Sequence, residues 1–385
     1  MRRRLLRPIV ILSVLALTTL VVYAAASYPS AVKSFTTKLA GQTISSSHVN
    51  DLQDEIVAVE GALLNGFAHL LKPSADNTYD LGTSSLTWRD VYLRGTVKSA
   101  LRPIVRPGGR LTLTSGTAVT TADVTAATTV YYTPYLGNQI PLYNGTDRWL
   151  IDTFSEISIA VPATTSTMYD LFIYDSSGTP TLEALAWTND TTRATALTTQ
   201  DGMLVKTGAT TRLYVGSVRT TTVSGQTEDS TAKRYLWNDY NRVPRQLQKL
   251  YGDTNWTYTT ATLRQANANA ANQVEVVVGV AEVVVRLTLH AQALNNTGGM
   301  TTAIGIGYDS TSAMITDAGS ANGHSSNFNT ATYAHAVHVP AIGRHFYAGL
   351  EYSEAVGTTT WYGTTGAAGT FPTGLNSGLR GFLEG

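Results

Sequence analysis

A mainly β fold led by one short helix is the fold class this sequence predicts, and three observations predict it. Charged residues make up only 14% of the 385 residues, against about 25% in typical soluble domains. Threonine, serine, asparagine and glycine fill the deficit. Threonine suits a pleated, half-exposed surface, and glycine and asparagine suit the turns between strands. Short runs of apolar and β-branched residues recur between turn signals along most of the chain, as in sandwiches and barrels. A 3.5-residue apolar period occurs in one place only, near the N-terminus.

The chain is long enough for two or three domains. Six segments are expected: 1–26, a signal peptide or membrane anchor; 27–70, an extended stretch and a short coiled coil; 71–108, a shaft-like element; 109–222, a first β-sandwich; 223–250, a linker and short helix; and 251–385, a second, jelly-roll-like β domain. There is no cysteine, which excludes disulfides and thiolate metal sites.

Arg2, Arg3, Arg4 and Arg7 precede the apolar run Ile9–Val22, and Ala24-Ala25-Ala26 follows. A basic stretch, a short apolar stretch and small residues are the layout of a secretory signal. The alternative is an uncleaved anchor with its arginines held inside, the chain's one expected membrane contact (residues 9–26). Removal of 1–26 leaves 23 basic against 27 acidic residues, a net charge of −4. A mildly acidic chain without basic stripes does not suit a phosphate backbone, so nucleic acid is not an expected partner.

Ser45-Ser46-Ser47 offers a helix N-cap. Val49, Leu52, Ile56, Val59 and Leu63 follow at spacings of 3, 4, 3 and 4, with Asp51, Asp54, Glu55 and Glu60 off that seam. This is the heptad pattern of a coiled coil, here about two heptads long. The same pattern also fits a helix packed on its own domain.

Residues 76–95 read Asp76-Asn77-Thr78-Tyr79-Asp80-Leu81-Gly82, then Trp88-Arg89-Asp90-Val91-Tyr92-Leu93-Arg94-Gly95 after five intervening residues. This stretch resembles the D-N-x-Y-D-L-G-S…W-R-D-L-Y-L-x-G segment of bacteriophage tail-fibre and virion appendage proteins, with Val91 in place of the usual leucine. The preceding Phe35–Leu64, with its A-G-Q-T-I and H-V-N-D-L-Q-D-E-I runs, is also similar to phage structural proteins. The region from Thr129–Tyr135 to Ile157–Val161 is similar to a module recurrent in appendage proteins. The resemblance implies a small β element in the shaft of a fibre and a homo-oligomer, usually a trimer. It also implies attachment to a cell-surface glycan or protein receptor. Asp76, Tyr79, Asp80, Leu81, Gly82, Trp88, Arg89, Asp90, Tyr92 and Leu93 carry it. The N-terminal signal departs from that family, and keeps open a cell-encoded exported surface protein or extracellular filament subunit. Either reading places the chain outside the cell or on a virion.

In the first β region, strands are expected at 110–114, 129–135, 139–143, 148–153, 156–161, 169–174, 182–187, 203–206 and 212–218. Asn144-Gly145, Ser176-Ser177-Gly178 and Gly208 supply turns. Residues 223–234 read as a polar linker, and Val243–Leu250 as a short helix with Pro244 in its first turn. The valine-rich run Gln273–Leu289 is either two strands about Gly279–Glu282 or one long bent strand. Further strands are expected at 303–308, 334–339, 345–352 and 358–362, and loops over 363–381.

Few residue patterns carry chemistry. Gly374-Leu375-Asn376-Ser377-Gly378 places its serine one position late for a nucleophile elbow. Gly305-Ile306-Gly307 lacks a third glycine, and there is no phosphate-binding Gly-Lys-Ser/Thr loop. His335 and His338 of one strand would face opposite sides. Asp170, Asp175, Glu351 and Glu354 are the carboxylates considered for glycan cleavage, which needs two at about 5–9.5 Å. No catalytic residue, cofactor or metal is expected, and a glycan-degrading enzyme is the least favoured reading. Surface aromatics are the remaining signal: Trp256, Tyr258, Trp361 and Tyr362, with Tyr131, Tyr132 and Tyr135, would stack on sugars or anchor a protein partner. Four glycosylation sequons occur, at Asn144, Asn189, Asn255 and Asn295.

Overall fold

The computed structural model of the protein describes residues 39–64, 105–363 and 376–385. The first stretch and the other two fall in separate compact units, divided between Tyr92 and Leu93.

The described part of the N-terminal unit is one helix, α1 (Ser46–Leu64). Serine precedes it as expected, but the Ser45 hydroxyl bonds His48 Nδ1 at 2.5 Å and Ser47 Oγ at 2.8 Å.

The second unit is mainly β. In chain order its strands are β1 Gly109–Thr112, β2 Val124–Ala127, β3 Thr129–Pro134, β4 Gln139–Tyr143, β5 Trp149–Thr153, β6 Ile157–Ala160, β7 Met168–Asp175, β8 Pro180–Ala186 and β9 Leu197–Gln200. Then come β10 Met203–Lys206, β11 Ala209–Arg219, β12 Thr227–Asp229, β13 Lys233–Arg234, β14 Leu236–Asn238, β15 Pro244–Leu250, β16 Asn255–Tyr258 and β17 Arg264–Gln265. The last are β18 Gln273–Val278, β19 Val285–Asn295, β20 Thr301–Tyr308, β21 Gly319–Gly323, β22 Thr330–His338, β23 Gly343–Ser353, β24 Thr359–Tyr362 and β25 Gly378–Glu384.

Turn chemistry explains the local hairpins. The turn joining β7 to β8 places Ser177 and Gly178 at φ 54° and 86°, the paired positive φ that matches strand twist. Asp175 Oδ1 accepts the Gly178 N–H at 2.5 Å. The β9–β10 hairpin closes on Asp201-Gly202 with φ 51° and 84°. That dipeptide is itself a hairpin signal, and β9 lies outside the strands expected from the sequence. Asn144 does not sit in a two-residue turn: Tyr143 pairs Trp149, and the Asn144 side chain accepts the N–H groups of Thr146, Asp147 and Arg148.

The described strands form five sheets: β1-β3-β6; β4-β5; β8-β7-β11-β10-β9 with β14 on β11; β2-β12-β13-β18-β23-β20-β21 with β17 on β23; and β15-β25-β19-β24-β16 with β22 on β19. The last two sheets share one core. Val274, Val276 and Tyr347 from one meet Leu287, Leu289, Trp361 and Leu379 from the other. This is sandwich packing, with the inward residues of both sheets interleaved.

The elements expected over 223–250 and in the C-terminal tail are corrected. Val243–Leu250 does not form a helix: Pro244–Leu250 is strand β15, paired along its length with β25. Its residues have helical propensity, but pairing with Gly378–Glu384 overrides it. Pro244 is accommodated because it starts an outer strand. Gly378–Glu384, placed partly in an expected loop, lies between β15 and β19. The expected linker at 223–234 is woven into the sheets: β12 pairs β2, and β13 runs parallel to β18. Most of the buried residues of 109–222, among them Leu111, Val130, Ile140, Trp149, Leu171 and Val218, form a core cluster of their own, while Met168, Phe172 and Tyr214 join the one that holds Val274 and Val276.

The valine-rich run makes two strands in two different sheets. Gly279 is the point of departure. Its carbonyl accepts Arg193 Nη2 at 2.7 Å, and its Cα faces the Tyr214 hydroxyl and the Trp237 ring.

Candidate functional site

On α1, Val49, Leu52, Ile56 and Val59 are 49%, 50%, 48% and 38% exposed. Four apolar side chains of one seam therefore face outward in the single chain. Leu63 lies in the helix, but its side chain is outside the described residues. The shaft-like residues Asp76, Tyr79, Asp80, Leu81, Gly82, Trp88, Arg89, Asp90, Tyr92 and Leu93 are also outside them.

The expected ligand-contact aromatics are not a surface. Trp256, Tyr258 and Trp361 are buried, and Tyr362 is half-buried. Trp256 and Trp361 are cross-strand partners. Trp256 Nε1 donates to Glu351 Oε2 at 2.7 Å, and Tyr258 donates to Thr262 O at 2.8 Å. Their alternation along the strands turns them into the core, a choice that aromatic content alone does not reveal. Tyr132 is buried and Tyr131 half-buried, whereas Tyr135 is exposed.

The charged residues inside the β unit are organised in clusters. Asp229 lies between Arg234 (3.0 Å) and Arg245 (2.6 Å), and all three are buried. Arg110, also buried, shares with Asp229 and Arg245 a small pocket lined as well by Thr112, Thr120 and Asn238. Burial, and then the charge of Arg245, pulls the Arg110 guanidinium down to about 10, so it stays cationic at neutral pH. Asp170 accepts Arg193 Nε at 2.7 Å and the Ser217 hydroxyl at 2.8 Å. Burial pushes its carboxyl up against those donors.

Glu351 is 1% exposed and accepts from Trp256, from Arg264 Nε at 2.7 Å and from the Asn267 N–H at 3.2 Å. Desolvation outweighs these donors and pushes it up to about 7 from an ordinary 4.5. A raised acid adds stability that is complete below its unfolded value and is lost as pH rises through the folded one. The native chain is therefore expected to lose, relative to Glu351→Gln, on the order of 3 kcal/mol between pH 4.5 and 8. Urea titrations of both chains at pH 5 and pH 8 check this. The comparison cancels Asp239, which burial raises to about 6. A native chain that gained on the variant with rising pH would mean that Arg264 keeps the carboxylate ionised.

The remaining carboxylates considered for glycan chemistry are dispersed: Asp175 caps its turn and Glu354 lies next to β23. Of the histidines, His338 and His345 flank the Tyr308 ring, at centroid distances of 4.4 and 4.9 Å. His335 meets Thr288 Oγ1 at 3.0 Å, His338 meets the Tyr347 hydroxyl at 2.9 Å, and His345 meets Asp309 at 2.7 Å and Tyr308 at 2.8 Å. Desolvation, then the nearby His345, lowers His338. Among the described residues, no group of three or more histidine, cysteine, aspartate or glutamate side chains is placed to hold a metal. No described helix is long and apolar enough to cross a membrane.

Neither a family model nor a curated protein matches the chain. Three solved structures show distant likeness. A Cry8Ea1 delta-endotoxin from Bacillus thuringiensis has 5% identity and TM-score 0.22, over 76% of this chain and 52% of its own. A structure of infectious bursal disease virus, Gx strain, has 10% identity and TM-score 0.22, over 75% and 71%. A Cry1Da tryptic core variant from Bacillus thuringiensis has 6% identity and TM-score 0.17, over 67% and 48%. This chain spans about half the length of the two toxin chains.

Proposed function

We propose that this chain is a homo-oligomeric structural protein that works by assembly and attachment, without catalysis. The exposed seam Val49, Leu52, Ile56 and Val59 carries the reading. Apolar residues at alternating spacings of three and four remove themselves from water when helices pair along that seam. The resemblance of residues 76–95 to tail-fibre segments supports a virion appendage, and within that family a trimer. The sandwich formed by the last two sheets is then a jelly-roll-like knob that displays a surface to a glycan or protein receptor. The arrangement from Arg2 to Ala26 favours a second reading, an exported cell-surface protein or filament subunit.

Sedimentation equilibrium of the full chain tests the assembly. The native chain is expected to be an oligomer, and the Leu52→Asp/Ile56→Asp chain a species of lower mass with an unchanged melting midpoint for the β unit. A monomeric native chain, or an oligomer indifferent to these substitutions, overturns the reading. N-terminal sequencing of the native particle separates its two forms. A start at Ser27 favours the exported protein, and Met1 retained in purified virions favours the appendage.

A further inference from the structure

Strand β22 is an outer strand of its sheet, paired with β19 alone through the register Val285↔His338 to Ala293↔Thr330. Its side chains alternate strictly. Thr332, Ala334 and Ala336 point into the core, while Ala331, Tyr333, His335 and Val337 are exposed. Val339 continues the exposed row, and Tyr333, Val337 and Val339 are 48%, 65% and 54% exposed. Asn322 Nδ2 donates to Ala331 O at 3.2 Å. Beyond that point, no described residue outside β19 bonds the backbone of residues 332–337.

Outer strands usually carry lysines, prolines or bulges that prevent pairing with another chain. Residues 330–339, Thr-Ala-Thr-Tyr-Ala-His-Ala-Val-His-Val, contain no aspartate, glutamate, lysine, arginine or proline. Their pairing with β19 runs without a bulge over nine residues. The strand therefore keeps the features that edge protection removes.

We propose that β22 is a strand-addition surface for a second copy of this chain, which pairs β22 antiparallel to β22 about a two-fold axis at His335. The sequence is complementary to itself in that register. Tyr333 faces Val337 of the partner subunit and Val337 faces Tyr333 of the partner subunit, which makes two aromatic–β-branched cross-strand pairs. Ala331 and Val339 match likewise, and Ala334 meets Ala336 of the partner subunit on the inner face. A strand without aspartate, glutamate, lysine or arginine brings no carboxylate, ammonium or guanidinium against its own kind across a two-fold axis. Main-chain pairing supplies the affinity and the outward row sets the register. The contact uses no residue of α1, so it is tested independently of the helix seam.

The chain's lack of cysteine makes the test direct. Antiparallel partners lie about 4.5–5.5 Å apart at Cα, within the range that a disulfide spans. Full-length His335→Cys is expected to form a disulfide-linked dimer under mild oxidation. Its rate should exceed that of Val223→Cys, an exposed position elsewhere in the same unit, by about tenfold or more through the raised local concentration. Adding Tyr333→Lys and Val337→Lys is expected to bring the rate down to the Val223→Cys level. Should His335→Cys melt earlier than the native chain, a Tyr333→Cys/Val337→Cys chain reads the same register through two links. Coupling no faster than Val223→Cys, or coupling indifferent to the lysines, overturns the proposal.

Discussion

Asp229→Ala is expected to unfold the β unit under conditions where the native chain stays folded. The carboxylate lies between Arg234 and Arg245, with Arg110 close enough to feel its charge. Arg110, Arg234 and Arg245 are 3%, 6% and 7% exposed. Removing one partner of a buried ion pair costs about 3–5 kcal/mol, because the remaining charge stays buried without compensation. Here at least two cations lose their carboxylate at once. Folded domains have only about 5–15 kcal/mol in total. Asp229→Asn keeps the volume and removes the charge, and it should lose most of the same stability. Urea unfolding followed by tryptophan emission measures both variants. If Asp229→Ala stayed within about 1 kcal/mol of the native chain, the cluster would be held by its backbone acceptors, Gln246 O for Arg234 and Thr120 O for Arg245.

Gly279→Ala is expected to be comparably damaging, for a steric reason. A Cβ at this position would lie 2.5 Å from Trp237 Cζ3 and closer still to the Tyr214 hydroxyl. Both side chains are fully buried, and Tyr214 is held by Ser217 Oγ at 2.6 Å, so neither has room to withdraw. Overpacking a filled core costs about 1–3 kcal/mol and sometimes more, and two immobile neighbours place this site at the upper end. The variant should unfold at lower urea with an unchanged slope, since the surface exposed on unfolding is the same. Tyr214→Phe in the Gly279→Ala background should recover part of the loss by removing the closest atom. A fully stable Gly279→Ala chain would show that the valine-rich run can shift away from Trp237.

The sequence by itself determined the β class and most strand positions, because alternation and turn residues act over a few neighbours. Thr129–Pro134, Gln139–Tyr143 and Met203–Lys206 match expectation nearly residue for residue. It also located a helix where α1 lies, because the apolar period there is local. Tertiary structure decided the rest, for reasons that lie far along the chain. Pro244–Leu250 is a strand because Gly378–Glu384 pairs with it. The Gln273–Leu289 run divides between two sheets because Tyr214 and Trp237 occupy the space beside Gly279. Trp256 and Trp361 are buried because their strands turn that face toward the core. Asp229 and Arg234, in a stretch that reads as a polar linker, and Arg245, in an expected helix, are buried because Asp229 bridges the two guanidiniums and the carbonyls of Gln246 and Thr120 take other N–H groups of theirs. Local periodicity tells which residues of a strand share a face. Only the packing of distant strands decides which of the two faces is removed from water.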